Sequence, residues 1–427
     1  MPNRSGRFDK LVLKNVRCFQ DATIPLDDHV TIIIGENGSG KSTIIEALAS
    51  LSQNEERNVF KEFPLRSHAK RGEIALYQGR RSPAGYWRAG GPASGRRDLP
   101  DKQYFFAYGR YRRVFIDEVP ASSESRTPAE LLDELARHAH DRRTATINEP
   151  DNHLLRDISG YLVALDFGRK SDRRLQLVWD KLNLALPQID PRLGNLQIME
   201  DPTGTSLHLV RHGVPMELRQ LSDGYQSLLV VIFDLALRYP YIFGQDNPLE
   251  GNALVAIDEV DLHLHPRWQR VVVTQLTSLF PNTQFVITTH SPVVAQGSID
   301  DKRTIVVLQD EAGAVVPRRL SKALLGRLRG AEVSSVLLER HLFGLESRYS
   351  VEFSQIENKV DDLQRRISSN KASDGDYSDL SAALTQLEEL VAREDERRAD
   401  SSTVAQMAKL QASFVKDLVK ELKKARS

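Results

Sequence analysis

Nine consecutive residues, Gly35-Glu36-Asn37-Gly38-Ser39-Gly40-Lys41-Ser42-Thr43, carry the spacing G-x-x-x-x-G-K-[ST] of a phosphate-cradling loop. Three glycines let successive N–H groups turn into one concavity, where a helix N-terminus adds the positive end of its dipole. Asn37, Gly38, Ser39, Gly40 and Thr43 then form the wall of the cradle. A polyphosphate fits there, Lys41 reaching its β- and γ-phosphates as a point charge and the Ser42 hydroxyl serving as a ligand for Mg²⁺. Arg17, close in sequence, reads equally as a nucleotide contact and as a solvated strand-end arginine.

Acids and a histidine recur downstream. Ala253-Leu254-Val255-Ala256-Ile257 is an apolar run leading straight into Asp258, Glu259 and Asp261. A buried strand there puts Asp258 at its carboxyl end, where α/β sheets bind ligands, able to hold Mg²⁺ directly or through water. Glu259 is suited to polarise an attacking water as general base. Gln284 to Thr289 is a further buried strand, and His290 after it is placed to touch a γ-phosphate. Between these pieces, Leu221-Ser222-Asp223-Gly224-Tyr225-Gln226-Ser227 opens a long apolar helix. With Ser222 as N-cap and Gly224 two residues on, its free N–H groups make a second anion site.

The elements that must position these groups are legible around them. Val30-Thr31-Ile32-Ile33-Ile34 is β-branched and apolar, as a strand buried on both faces should be, and Ile44 to Ala49 reads as a helix. Leu11 to Phe19 and Ala22 to Leu26 pair as an antiparallel opening. The fold class is therefore α/β. Its expected segments are the first part of a nucleotide-binding head (1–60), a basic loop-and-strand region (61–124), a mainly helical insert ending in a hairpin (125–214), the second part of the head (215–320) and a helical region (321–427).

The basic region holds Lys61, Arg66, Lys70, Arg71, Arg80, Arg81, Arg88, Arg96 and Arg97 against Glu62, Glu73 and Asp98. Tyr77, Tyr86 and Trp87 are interleaved, which suits phosphate contact combined with base stacking on DNA and equally suits a solvated surface. A strand is expected at Glu73–Tyr77 with a mobile loop after it. In the insert, Pro128 to Leu135 starts a helix, and Leu175, Val178, Trp179, Leu182 and Leu186 recur at helical spacing. Asn195–Glu200 and Ser206–Val210 form the hairpin. His138 and His140, two apart, cannot share a helix face and make a poor metal pair; His263 and His265 read as structural. Near the C-terminus, Phe353, Ile356, Val360, Leu363 and Ile367 trace an a/d seam, interrupted from Ser368 to Asp379 and resumed at Leu380, Leu384, Leu387 and Val391. Such short seams fit a helical bundle or a partner-docking site.

Composition excludes little but is informative. Among 427 residues, 58 Lys+Arg balance 58 Asp+Glu, so any basic surface is local. Cys18 is the only cysteine, which excludes an internal disulfide and fits a reducing compartment. The first residues lack the apolar core of a signal peptide, and no apolar stretch is read as a membrane span; a cytoplasmic protein without a membrane partner is expected.

The order of phosphate loop, Leu221-to-Ser227 signature, Asp258-Glu259 pair and His290 resembles the ABC-type ATPase heads of the SMC and OLD-like group. More narrowly, the signature, Ile257 to Pro266 and Thr288-Thr289-His290-Ser291-Pro292 are similar to bacterial stand-alone ATPases grouped as ATP-binding proteins involved in virulence. That group includes the ATPase subunits of Septu-like and retron-linked phage-defence systems, often paired with an HNH endonuclease. The resemblance implies a P-loop head with an antiparallel side sheet, an inserted helical lobe and a C-terminal helical bundle, and an ATPase acting as a homodimer of heads or a higher homo-oligomer. It implies that His290 senses the γ-phosphate, that Ser222 and Gly224 contact ATP across the dimer, and that Asp261 couples the two sites. An HNH-type nuclease is the implied partner. The alternative is an SMC-like DNA repair ATPase that clamps DNA directly through residues 61–113. Two departures stand out. Asp223 and Tyr225 replace the commoner glycine and glutamate of the signature. Where such heads present a Mg²⁺-binding glutamine, Gln103 precedes the strand and Tyr108-Gly109 end it, so Tyr108 or an arginine is left to take that role.

Overall fold

The computed structural model describes residues 7–51, 64–110 and 158–320 apart from short gaps, together with 112, 126–139 and scattered positions between 356 and 386. In chain order the first part contains β1 (Lys10–Val16), β2 (Phe19–Pro25), β3 (Val30–Gly35), α1 (Lys41–Ser50), β4 (Gly72–Tyr77), β5 (Pro83–Ala89), β6 (Gly95–Arg97) and β7 (Tyr104–Tyr108). The insert supplies α2 (Pro128–His138), α3 (Ile158–Gly168), α4 (Arg173–Ile189), β8 (Leu193–Asp201), β9 (Gly204–Arg211) and β10 (Val214–Glu217). The second part supplies α5 (Asp223–Phe243), β11 (Ala253–Ile257), α6 (Pro266–Leu279), β12 (Gln284–Thr289), α7 (Pro292–Gly297), β13 (Arg303–Glu311) and β14 (Ala314–Arg319).

Six strands in the order β14-β13-β3-β12-β11-β7 build the central sheet. All are parallel except β14, which pairs antiparallel with β13. Segments more than two hundred residues apart thus lie side by side around β3. The sheet is covered on both faces, and its sequence shows why. Along β3, Val30, Ile32 and Ile34 face one core while Ile33 faces the other; Phe106 and Tyr108 alternate with Phe105 and Ala107 in β7 in the same way. Each fully buried aliphatic side chain contributes about 1.5–3 kcal/mol, so two apolar faces make these strands poor candidates for any exposed position. The first core lies under the insert helices, α5 and α6; the second lies under α1 and a five-stranded antiparallel side sheet, β2-β1-β4-β5-β6.

The side sheet corrects one expectation. The segment after Tyr77, expected as a mobile loop, continues as β5 and β6, so Tyr86 and Trp87 are strand residues. Trp87 is half-buried against the second core. The insert is helical as its periodicity suggests, with Leu175, Val178, Trp179, Leu182 and Leu186 all buried along α4. Thr127 and Glu130 close a reciprocal capping box at the start of α2. The hairpin gains β10 as a third strand and forms a sheet of its own.

Helix α5 corrects another. With 21 residues and a mean hydropathy of 1.3 it is long and apolar enough to cross a membrane by length and composition. Most of its length is buried within the chain, because it runs through the first core. Asp234 and Arg238 sit inside it as a buried ion pair, 2.9 Å apart.

The chain divides into two units, Met1–Phe343 and Gly344–Ser427. In the second, Ile356, Lys359, Val360 and Leu363 are helical, as are Asp376, Asp379, Leu380 and Ala383. Val360 and Leu363 are buried, in keeping with the first seam; Leu380 and Ala383 are buried in the next piece. The helical state at Asp376 and Asp379 falls inside the stretch expected to be a break. Phe353, Ile367, Leu384, Leu387 and Val391 lie outside the described residues.

Candidate nucleotide site

The three sequence constellations meet at one edge of the central sheet. β3, β12 and β11 are neighbours and parallel, so the phosphate loop, His290 and the Asp258-Glu259 pair leave the sheet at the same, carboxyl end. That edge is where α/β sheets place ligands.

The loop is built as its glycines require. Gly38 has φ 82° and Gly40 has φ 89°, left-handed values that other residues adopt at a cost. Gly40 also has no room for a side chain: a Cβ there would lie 2.5 Å from Cys18 Sγ. Lys41 is 4% exposed, and its Nζ donates to the carbonyls of Gly35 at 2.8 Å and Glu36 at 2.7 Å, with Ser39 Oγ 3.5 Å away. Burial pushes its pKa down to about 8, against the pull of the Asp258, Glu259 and Asp261 carboxylates. A desolvated cation facing three acids gains from an incoming polyphosphate more than an exposed one would. The hydroxyl of Ser42 and the carboxylate of Asp258 are the hard oxygen donors that Mg²⁺ prefers, so the residues fit a metal–nucleotide pair.

The acids are held by β12. Thr288 Oγ1 donates to Asp258 Oδ1 and accepts from the Glu259 amide at 2.8 Å. Asp261 Oδ1 accepts from Thr289 Oγ1 and from the His290 amide at 3.3 Å. Thus both threonines preceding the histidine work as brackets. Glu259 adopts φ 46°, a left-handed conformation costing about 1–3 kcal/mol for a residue with a side chain. His290, half-buried, is held below its usual pKa by burial and by the charge of Lys41, so at neutral pH it is a neutral hydrogen-bonding group.

Arg17 is not a solvated strand end. It pairs with Glu46 at 2.6 Å and donates to Thr43 Oγ1 at 3.3 Å, which ties β1's end to the first turns of α1. In the signature, Ser222 is the N-cap of α5 but makes no capping hydrogen bond through its side chain; it and Asp223 are exposed. Gly224 is buried, and a Cβ there would lie 2.3 Å from the His263 carbonyl oxygen. Glycine is therefore demanded at 224 by packing inside this chain. Tyr225 explains its own departure: its hydroxyl donates to Asp190 Oδ2, and its ring packs on Trp268 at 4.1 Å between centroids. His265 is the N-cap of α6, accepting from the Arg267 amide at 3.3 Å.

Tyr108 does not take the place of the absent glutamine. Its hydroxyl donates to Asp234 Oδ2 at 2.7 Å inside the first core. What lies beneath the acids is Arg112, 2% exposed. Its guanidinium donates to the carbonyls of Gly109 (2.6 Å), Asp258 and Glu259 (2.8 Å) and to Ser227 Oγ at 3.2 Å. The sequence leaves Tyr108 or an arginine as the replacement and does not point to Arg112; the available signal is a cationic run directly after a buried strand.

The basic region is partly neutralised. Arg88 pairs with Glu73 at 2.7 Å and lies over the Tyr86 ring, and Arg96 donates to the Ser50 carbonyl at 2.7 Å. Lys61, Arg80 and Arg81 lie outside the described residues.

Comparison with known proteins gives a family and partial relatives. The family described as "AAA domain, putative AbiEii toxin, Type IV TA system" matches residues 30–295. "Retron Ec83 probable ATPase" of Escherichia coli is 32% identical over 46% of this chain and 33% of its own length. "Septu protein PtuA" of Bacillus mycoides (strain KBAB4) is 32% identical over 30% of this chain and 17% of its own. The chain thus spans a third or less of the length of these relatives. Among solved structures, an SMC head bound to the C-winged helix domain of ScpA is similar at 18% identity and a TM-score of 0.43, covering 74% of this chain and 99% of that one.

Proposed function

The chain belongs to the AAA-domain family matched over residues 30–295, and on that premise we propose that it is the ATP-binding and ATP-hydrolysing subunit of an antiphage defence complex. Two heads close around two nucleotides, each site completed by the other chain's Ser222-to-Gly224 segment, and nucleotide state controls a partner HNH-type nuclease in the cytoplasm. The observation that carries the ATPase reading is the meeting of buried Lys41 with Asp258, Glu259, Asp261 and His290 at the ends of three adjacent parallel strands. The similarity to proteins named retron ATPase and Septu PtuA supports the defence setting.

In this mechanism the loop amides and Lys41 hold the β- and γ-phosphates. Ser42 and Asp258 would hold Mg²⁺, which would supply neutralisation of phosphate charge. Glu259 orients and deprotonates the water that attacks the γ-phosphorus, giving ADP and phosphate. His290 hydrogen-bonds the γ-phosphate, and Asp261, fixed on Thr289, links that histidine to the segment facing the second head.

The test is affinity purification of the tagged chain from its native host, beside phage challenge of the Lys41→Ala strain. A stoichiometric HNH-type nuclease and loss of protection on Lys41→Ala are expected; protection that survives Lys41→Ala would overturn the reading. A second reading, a repair ATPase that clamps DNA, is favoured by 51% identity over 41 residues to a "DNA double-strand break repair Rad50 ATPase" of Halobacterium salinarum (strain ATCC 700922 / JCM 11081 / NRC-1), 10% of this chain and 5% of that one. It calls for DNA-stimulated turnover with a steep salt dependence and no nuclease.

A further inference from the structure

Arg112 has an unusual set of partners for a buried cation. Each of its hydrogen bonds goes to a backbone carbonyl or a hydroxyl, and they come from three separate segments: the end of β7 (Gly109), the end of β11 (Asp258 and Glu259) and the second turn of α5 (Ser227). A guanidinium offers five N–H groups in a fixed plane, so it can bridge three segments only when their spacing matches the fork. Desolvation is opposed here by the nearby Asp258, Asp261 and Glu259 charges, and the pKa settles at about 10, which leaves the group charged at neutral pH.

The clamp falls on the strained residue. The peptide groups of Glu259 are held on both sides: the amide by Thr288 Oγ1 at 2.8 Å, the carbonyl by Arg112 at 2.8 Å. Between them the backbone keeps φ 46°. The threonine sits on β12, within the rigid sheet. The arginine's Nε is instead on Ser227, five residues into the segment that begins with exposed Ser222. One side of the clamp therefore refers to the sheet and the other to the signature helix.

We propose that Arg112 is the positioning residue that makes the placement of Glu259 depend on the seating of α5 through Ser227. Seating of the helix brings Ser227 Oγ onto Nε and aligns the fork with the Glu259 carbonyl; displacement of the helix releases the fork and lets the carboxylate leave the line of attack. This inference rests on Glu259 being the water-polarising base.

The experiment is a double-mutant cycle on the full-length chain, with equilibrium binding of radiolabelled ATP and single-turnover hydrolysis as separate readouts. Arg112→Lys keeps the charge and loses the fork. Its turnover is expected to fall about 100-fold, as a misplacement near 1 Å would cause, with ATP affinity within about twofold of wild type. In a Glu259→Gln background the same change should slow hydrolysis no further, since the group through which Arg112 acts is gone. Ser227→Ala, which removes a single hydrogen bond and leaves the buried charge in place, should slow turnover about fivefold at unchanged ATP affinity. Multiplicative effects of Arg112→Lys and Glu259→Gln, or wild-type turnover in Ser227→Ala, would overturn the proposal; the serine variant decides if the lysine variant does not fold. Wild-type turnover in Glu259→Gln alone would instead remove the base assignment beneath it.

Discussion

Lys41 is the residue whose environment is most demanding. Folding lowers its pKa from an ordinary 10.5 to about 8, because the charge is stripped of water before any phosphate arrives. The unfolded chain therefore binds the extra proton between about pH 8 and 10.5, and by linkage this site's contribution to stability rises with pH across that window. Relative to Lys41→Met, the wild-type chain should gain about 3 kcal/mol between those limits, measured by parallel denaturant titrations. A constant difference would show that the buried charge is not destabilising. Most of the chemistry at this scale is legible in the sequence, since Lys41, Asp258, Glu259 and His290 are set by motif spacing and by the strands before them. Arg112 is not, because its partners are carbonyls of remote segments, and backbone groups leave no trace in residue type.

Among the elements, α5 packs against the insert helices α2, α3 and α4. Its apolar length and N-cap are plain in the sequence, but its membrane-like hydropathy reflects a position inside the first core. Tyr225 anchors its first turn to Asp190 at the end of α4, where Arg192 pairs with the same carboxylate at 2.7 Å. Burial pushes Asp190 up, but the hydrogen bonds from Arg192 and Tyr225 outweigh it and hold the carboxyl well below the usual range. The insert is thereby fastened to the signature helix. Tyr225→Phe should cost about 1.5–3 kcal/mol, the worth of a hydrogen bond to a charged acceptor, read as a lower denaturation midpoint. The loss should be full above the ordinary Asp pKa of 3.8 and should shrink as pH falls through the lower folded value, because protonation removes the charge in wild type as well. Equal stability at neutral pH would contradict the anchoring role. Strands β5 and β6 were harder to see, since glycine and proline within a basic run carry the pattern of a loop while pairing in the side sheet supplies the missing order.

For the whole molecule, the parallel sheet converts sequence order into proximity, and this is the reason so much of the site could be anticipated. Strands far apart in the chain and buried on both faces share one parallel sheet, with β12 and β13 beside β3 and β11 next to β12, so their carboxyl ends share an edge. The extension of the side sheet by β5 and β6, the third strand β10 beside the expected hairpin and the packing of Gly224 on His263 depend on contacts between segments whose residue types do not announce a partner. In the proposed function this edge binds ATP and hydrolyses it through Glu259. This is tested most directly by incubating the purified Glu259→Gln chain with radiolabelled ATP and Mg²⁺ and identifying the nucleotide that remains bound. Tightly held, unhydrolysed ATP is expected where the wild-type chain yields ADP; bound ADP formed at the wild-type rate, or no bound nucleotide at all, would contradict hydrolysis through Glu259.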